Sequence, residues 1–161
     1  MSSQKITTFI WYESQAEEAV KFYCSLFEDS KIVHENRYDD AGPGESGSVM
    51  TLTFQLAGQE FIALNGGPYP TGTPAISLFV RCKDQAEVDR LWDAFLANGG
   101  TPQQCGWLSD KYGIPWQIIP ERFLELMSDD DDAASQRVMA AMLKMIKLDV
   151  PTLEKAFAGE V

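Results

Sequence analysis

Few residues in this chain have the type and spacing that catalysis demands. His34 is the one histidine, so the two- and three-imidazole sets that hold catalytic zinc cannot be assembled within a single chain. Cys24, Cys82 and Cys105 are odd in number, far apart and free of C-x-x-C spacing. They indicate neither a disulfide framework nor a thiolate metal site, and they suit a reduced, cytoplasmic setting. Cys24 lies in the apolar run 22–27, where a thiol is expected in the core. The acid–base candidates are Glu13 before the first helix, Glu60 in the Gln59-Glu60 turn, and Asp110 and Lys111 in the Asp110-Lys111-Tyr112-Gly113 hairpin. A general acid or base must reach the reacting proton with a tuned pKa; these four read first as solvated turn and cap residues. His34, within a strand, reads as structural. Gly66-Gly67-Pro68 follows a strand but precedes no helix, and neither G-x-G-x-x-G nor G-x-x-x-x-G-K-[ST] occurs, so no nucleotide loop is indicated.

The chain that must position any site has 161 residues, 45% of them hydrophobic, enough for a real core without a membrane. It carries 24 acidic against 13 basic side chains, a formal charge of −11. That balance opposes the counterion release that drives binding to phosphate backbones, so neither nucleic acid nor an anionic membrane is an expected partner. Residues 1–5 are followed by no long apolar stretch, and no run approaches the ~18 apolar residues of a spanning helix. The expectation is a protein neither exported nor anchored.

Hydrophobic periodicity shows one unit twice. Residues 6–12 read as a strand, Ser14-Gln15-Ala16-Glu17 as a capping box, and Ala16, Ala19, Val20, Tyr23, Leu26 and Phe27 as the buried stripe of a helix. Strands are expected over 31–38, 48–56 and 60–65, with a flexible loop at 42–47. From Pro74 the order begins again: a strand over 75–81, a cap at Asp84 with Glu87 three residues on, a helix to about Ala97, a Gly99-Gly100 stop, and strands near 106–108 and 114–119. A step of 69 carries Thr8 to Ser77, Trp11 to Val80, Tyr23 to Trp92 and Leu26 to Phe95, apolar on apolar and small hydroxyl on small hydroxyl. The caps are offset by 70, from Ser14 to Asp84, so one residue is gained or lost before the helix. The economical architecture is α+β, two copies of a β-α-β-β-β module.

The tail differs in kind. Asp129 to Asp132 place negative charge at the start of a helix whose last turn is expected to carry Lys144 and Lys147, as the helix dipole favours. Val138, Met142 and Met145 form one apolar stripe and Met139, Leu143 and Ile146 another; the helix therefore has two faces to bury, one against the sheet and one against a second subunit. A short last helix has Pro151 in its first turn and Leu153 and Phe157 as anchors. The expected organisation is a single domain, 1–120, of two modules at about 6–66 and 75–120, followed by a C-terminal helical extension over 121–161.

Phe9-Ile10-Trp11-Tyr12 with Ala16-Glu17-Glu18-Ala19 and Phe22-Tyr23, the turn Ala63-Leu64-Asn65-Gly66-Gly67-Pro68, the segment Gln104-Cys105-Gly106-Trp107-Leu108-Ser109, and Trp116-Gln117-Ile118-Ile119-Pro120 resemble the PhnB-like branch of the vicinal oxygen chelate superfamily. That superfamily includes glyoxalase, bleomycin resistance proteins and dihydroxybiphenyl dioxygenase. Gln136-Arg137-Val138-Met139 with Lys144-Met145 is similar to the branch's C-terminal helix. The resemblance covers nearly the whole chain. It implies paired βαβββ modules forming a curved mixed sheet around a cavity, C-terminal helices, a homodimer, and the label 3-demethylubiquinone-9 3-methyltransferase. The common S-adenosylmethionine folds are doubly wound and parallel, with a glycine-rich first turn, and the pattern here is not of that kind.

Many members of the superfamily hold a divalent metal through His, Glu, His and Glu. The resemblance implies Thr8, Asn65, Ser77 and Gln117 at those four positions, where neutral amides and hydroxyls compete poorly with the ion's own hydration. No metal ligand and no cofactor is therefore expected, divalent metal and S-adenosylmethionine being the alternatives. These side chains can donate and accept hydrogen bonds to a neutral polar ligand. Period-two alternation is expected to turn Thr8, Ile10 and Tyr12 toward the cavity and Phe9 and Trp11 toward the helix. Trp107 and Trp116 either stack on a planar ligand or seal the sheet. The expected ligand-binding set is Thr8, Tyr12, Asn65, Ser77, Trp107 and Gln117, with no catalytic residue assigned. The leading function is binding of a small organic molecule; the alternative class is an enzyme, either a metal-dependent isomerase, lyase or dioxygenase, or the methyltransferase of the label.

Overall fold

The computed structural model describes residues 4–68 and 72–160. The chain divides into two compact units, Met1–Thr71 and Gly72–Val161. In the first unit, β1 (Thr8–Tyr12) leads into α1 (Ala16–Leu26), followed by β2 (Lys31–Arg37), β3 (Val49–Leu56) and β4 (Gln59–Asn65). The sheet order is β1-β4-β3-β2, with β1 parallel to β4 and the other pairs antiparallel. The β3 strand shows why the sheet forms: Leu52, Phe54 and Leu56 alternate inward and are buried, while Thr51, Thr53 and Gln55 point the other way. Phe54 stacks on Phe61 with ring centroids 5.4 Å apart. The α1 stripe of Ala16, Ala19, Val20, Tyr23 and Leu26 closes this face. Each large apolar side chain buried there contributes about 1.5–3 kcal/mol.

The second unit repeats the plan. Its elements are β5 (Leu78–Cys82), α2 (Gln85–Ala97), β6 (Thr101–Pro102), β7 (Trp107–Ser109) and β8 (Pro115–Pro120), in sheet order β5-β8-β7-β6. Val88, Leu91, Trp92 and Phe95 of α2 are buried, and Phe95 meets Trp116 at 4.9 Å. The two modules are thus the expected α+β units. The first strand here begins at Leu78, with Ile76 exposed ahead of it, and not at residue 75. The two-residue β6 has too few positions to leave a period in the sequence.

Three helices follow: α3 (Glu121–Met127), α4 (Asp132–Met142) and α5 (Val150–Ala158). The stripe of Val138, Met142 and Met145 packs with Ile119, Leu126, Leu148 and Leu153 in a core of its own. Asp131 caps α4 by accepting from the Ala134 N–H at 3.0 Å. The sequence pattern did not mark α3 as a separate helix, and α4 stops at Met142, so Lys144 and Lys147 lie beyond it. The chain turns there because Cys105 and Gly106 donate N–H groups to the Met145 and Ile146 carbonyls at 2.9 and 2.8 Å, drawing 145–146 alongside the sheet. Leu143 and Ile146 remain exposed.

Candidate functional site

The parallel strand pair in each module fixes how the repeats correspond. Thr8 to Tyr12 run beside Phe61 to Asn65, and Leu78 to Cys82 beside Trp116 to Pro120. The first strands therefore match at a step of 70, Thr8 with Leu78 and Tyr12 with Cys82, whereas the helices match at 69, Tyr23 with Trp92 and Leu26 with Phe95. The residue in question lies in the strand-to-helix turn, longer in the first module. Carrying 69 into the strand paired Thr8 with Ser77; the ladders instead make Thr7 the counterpart of Ser77, Ile62 that of Gln117, and Pro120 that of Asn65.

The same slip reverses the expected faces of β1, because moving one residue along a strand exchanges its sides. Ile10 and Tyr12 are buried toward α1, where the Tyr12 hydroxyl meets the Tyr23 hydroxyl at 3.0 Å. Thr8 shares their side. Phe9 and Trp11, 54% and 38% exposed, lie on the open side. Trp11 lies on Gly66, where a Cβ would overlap its indole, and its Nε1 donates to the Gly67 carbonyl at 2.9 Å. Tyr38 donates its hydroxyl to the Asn65 carbonyl at 2.6 Å, and a Cβ at Gly44 in the 42–47 loop would overlap the Tyr38 ring.

Asn65 has its own structural work. Its Oδ1 accepts from the Ala16 N–H at 2.8 Å and its Nδ2 donates to the Val49 carbonyl at 3.2 Å. It thereby caps α1 from another strand, a role the sequence assigned to Ser14. The capping residue of α1 is Gln15, which makes no side-chain cap bond, so the expected box does not form. In the second module Asp84 does cap α2, accepting from Glu87 N at 2.9 Å.

The polar pair of the second sheet is differently placed. Gln117 Nε2 donates to Ser77 Oγ at 2.9 Å, and both residues are half-buried. Gln117 neighbours Phe79 on one side and Trp107 on the other. Trp116, Leu108 and Cys82 face α2 and are buried, so alternation puts Gln117, Phe79, Trp107 and Arg81 on the opposite, open side. Trp116 therefore seals the core, and Trp107 is half-buried on the side away from α2. One end of this side is closed: Ile119 is buried in the tail core, and a Cβ at Gly106 would come within 3.1 Å of Leu148. Sequence reasoning missed Phe79 and Arg81; the signal was Cys82, whose inward position sets the parity of the strand.

The remaining candidates have other surroundings. Asp110 is 5% exposed, not a solvated turn residue, and accepts from Tyr112 N, Ile114 N and Trp116 Nε1 at 2.9, 2.9 and 3.0 Å. The half-buried Glu60 exchanges backbone hydrogen bonds with the Gln4 amide at 3.0 and 3.2 Å. Glu13 and Lys111 are exposed. His34 is exposed on β2 and bonds Asn36 Oδ1 at 3.2 Å. Burial pushes the Cys82 thiol up to about 12, with the charges of Glu87 and Asp84 adding and Arg90 opposing; burial also raises Cys24. A divalent cation does not fit the residues at the pair: the amide and hydroxyl are neutral and bonded to each other, and the first module offers Ile62 at the matching place. Among the described residues no group of three His, Cys, Asp or Glu is placed to hold a metal.

Two mixed four-stranded sheets, each with one helix packed on one side, define the fold of the vicinal oxygen chelate superfamily. A fosfomycin resistance protein from Listeria monocytogenes shares that fold at 14% identity and TM-score 0.54, over 72% of this chain and 90% of its own. A Pseudomonas aeruginosa protein does so at 20% identity and TM-score 0.61, over 73% and 98%. The PhnB protein from Bacillus cereus is 43% identical, with TM-score 0.66, over 73% of this chain and 99% of its own. The family described as 3-demethylubiquinone-9 3-methyltransferase matches residues 4–119, and the chain belongs to this family, the PhnB-like branch of the superfamily. A comparison with curated proteins finds no match. Among the described residues no helix is long and apolar enough to cross a membrane.

Proposed function

We propose that this protein binds a small organic molecule on the open side of its second sheet, through a neutral polar pair and without a tightly bound metal. The observation that carries the reading is the Gln117–Ser77 hydrogen bond at 2.9 Å set between Phe79 and Trp107. An amide and a hydroxyl that already bond each other can exchange that bond for bonds to a ligand with little rearrangement, and the flanking rings give a flat ligand apolar surface. On this reading Ser77, Trp107 and Gln117 touch the ligand, while Thr8, Tyr12 and Asn65 support the first sheet. The exposed Leu143 and Ile146 favour a homodimer, and the reduced cysteines a cytoplasmic setting.

The test has two arms. Protein purified without a metal-affinity tag, incubated with manganese, iron, nickel or zinc and freed of excess ion, is expected to retain far less than one metal per chain; stoichiometric metal overturns the metal-free reading. Flat polar compounds, with S-adenosylmethionine among them, are then screened by tryptophan fluorescence. Gln117→Ala is expected to weaken each hit about tenfold, the loss of roughly one hydrogen bond's worth of free energy. Unchanged affinity removes Gln117 from the site, and sedimentation as a monomer at micromolar concentration overturns the dimer.

A further inference from the structure

We propose that the ligand of this open side carries an anionic group, received by Arg81, at one end of a flat body; the inference rests on the binding reading above. The chain's arginines are otherwise engaged. Arg37 bonds Glu35 and the Gly47 carbonyl at 3.1 and 2.8 Å, Arg122 bonds Glu125 and Glu154 at 3.0 Å each, and Arg137 closes α5 through the Ala156 and Phe157 carbonyls at 2.9 and 2.6 Å. Arg90 also has a partner. Arg81 is exposed and, among the described residues, has neither an ion pair nor a hydrogen bond from its side chain. A protein with net charge −11 has no shortage of carboxylates to meet a guanidinium, so one that pairs with none among the described residues stands out.

Its position gives the isolation a direction. Phe79 and Arg81 are consecutive outward residues of β5, beside Gln117 and Ile119 of β8. Phe79 is the cross-strand partner of Gln117, and Arg81 lies roughly 7 Å further along the same strand, so Gln117 and Arg81 are diagonal neighbours and a ligand reaching both lies against the Phe79 ring at the adjoining corner. The tail core buries Ile119 next to Arg81, so the exposed cation stands at the border of the covered part of this side. A guanidinium offers a planar fork that matches a carboxylate with two parallel hydrogen bonds. In a molecule whose overall field repels anions, such a local cation is what lets one dock. The chemistry that fits is a small flat acid, with a neutral acceptor or donor opposite its anionic end.

Benzoate and its neutral isostere benzamide test this by amide and indole NMR titration of the full chain. Both are expected to move the Phe79, Gln117 and Trp107 signals, benzoate at about tenfold lower concentration than benzamide. Arg81→Gln should bring benzoate to the benzamide value and Arg81→Lys should keep part of the preference, with benzamide unchanged in both. Arg81 is exposed, and the variants' own spectra report their folding. Equal binding of the two compounds, or a preference that survives Arg81→Gln, overturns the anion inference and leaves the binding side standing. If neither compound moves those signals by about 10 mM, a limit beyond weak millimolar binding, the binding reading falls and the inference with it.

Discussion

Three N–H groups converge on the Asp110 carboxylate: Tyr112 and Ile114 from the hairpin backbone and the indole of Trp116. A buried carboxylate accepting three donors is a clamp, since each donor it holds would otherwise lose its partner away from water. Replacing it tests the point. Asp110→Asn can still accept from the two backbone groups but presents an NH2 to the Trp116 N–H, a donor facing a donor; Asp110→Ala loses all three acceptors. Urea unfolding is expected to show a loss of about 1–3 kcal/mol for the first variant and more for the second. The residue type was legible in the sequence, and so was the hairpin, but not the burial: Asp-Lys-Tyr-Gly reads as a solvated turn, and nothing local says that an indole six residues on will reach back. Asn65 is the parallel case, its partners Ala16 and Val49 lying on other elements.

At the scale of elements, long periodic segments were readable and their ends were not. The α1 and α2 stripes and the strands around 49–56 and 59–65 follow from apolar spacing. The end of α4 does not, because what stops it is the pairing of 145–146 with Cys105 and Gly106, forty residues away in the chain. The segment beyond that stop is tied to the start of α2. Gln85 donates to the Leu148 carbonyl at 3.0 Å and accepts from Val150 N at 2.7 Å, and Lys147 pairs with Asp89 at 2.9 Å. The Lys147 hydrogen bond, seconded by Gln85, holds the Asp89 carboxyl below its ordinary range, while Asp89 holds Lys147 above its own. A lowered carboxyl pKa contributes stability above its unfolded value and loses it as pH falls through the folded one. A raised ammonium pKa contributes below its unfolded value and loses it as pH rises through the folded one. The tie is thus complete from mildly acidic to mildly alkaline pH and weakens at both extremes. Both groups are more than a third exposed, which limits the pair to about 0.2–1 kcal/mol. The protection factor of the Val150 amide, which donates to Gln85, is expected to fall at the acid extreme in the native chain, and Lys147→Met should remove that dependence; an identical acid response in the variant sinks the assignment.

For the whole molecule, charge sets the prediction. With 24 acidic and 13 basic side chains, self-repulsion opposes the compact state, and screening relieves it over a Debye length that shrinks from about 30 Å at 0.01 M to about 3 Å at 1 M salt. The melting temperature is expected to rise by a few degrees as sodium chloride goes from about 0.01 M to about 0.5 M, and a fall would show that attractive surface pairs dominate. The two-module plan was legible at this scale, because the helices repeat at one step and the caps hinted at another. Which step the strands obey was not, since apolar residues occupy both sides of β1 and only the packing of Tyr12 on Tyr23 tells inside from outside. That one-residue difference has a consequence for stoichiometry. The two modules share a scaffold, but the place of Gln117 in the second module is taken by Ile62 in the first, so the two are chemically unequal. A ligand recognised through the amide and hydroxyl pair saturates at one equivalent per polypeptide, however many modules the assembled protein contains.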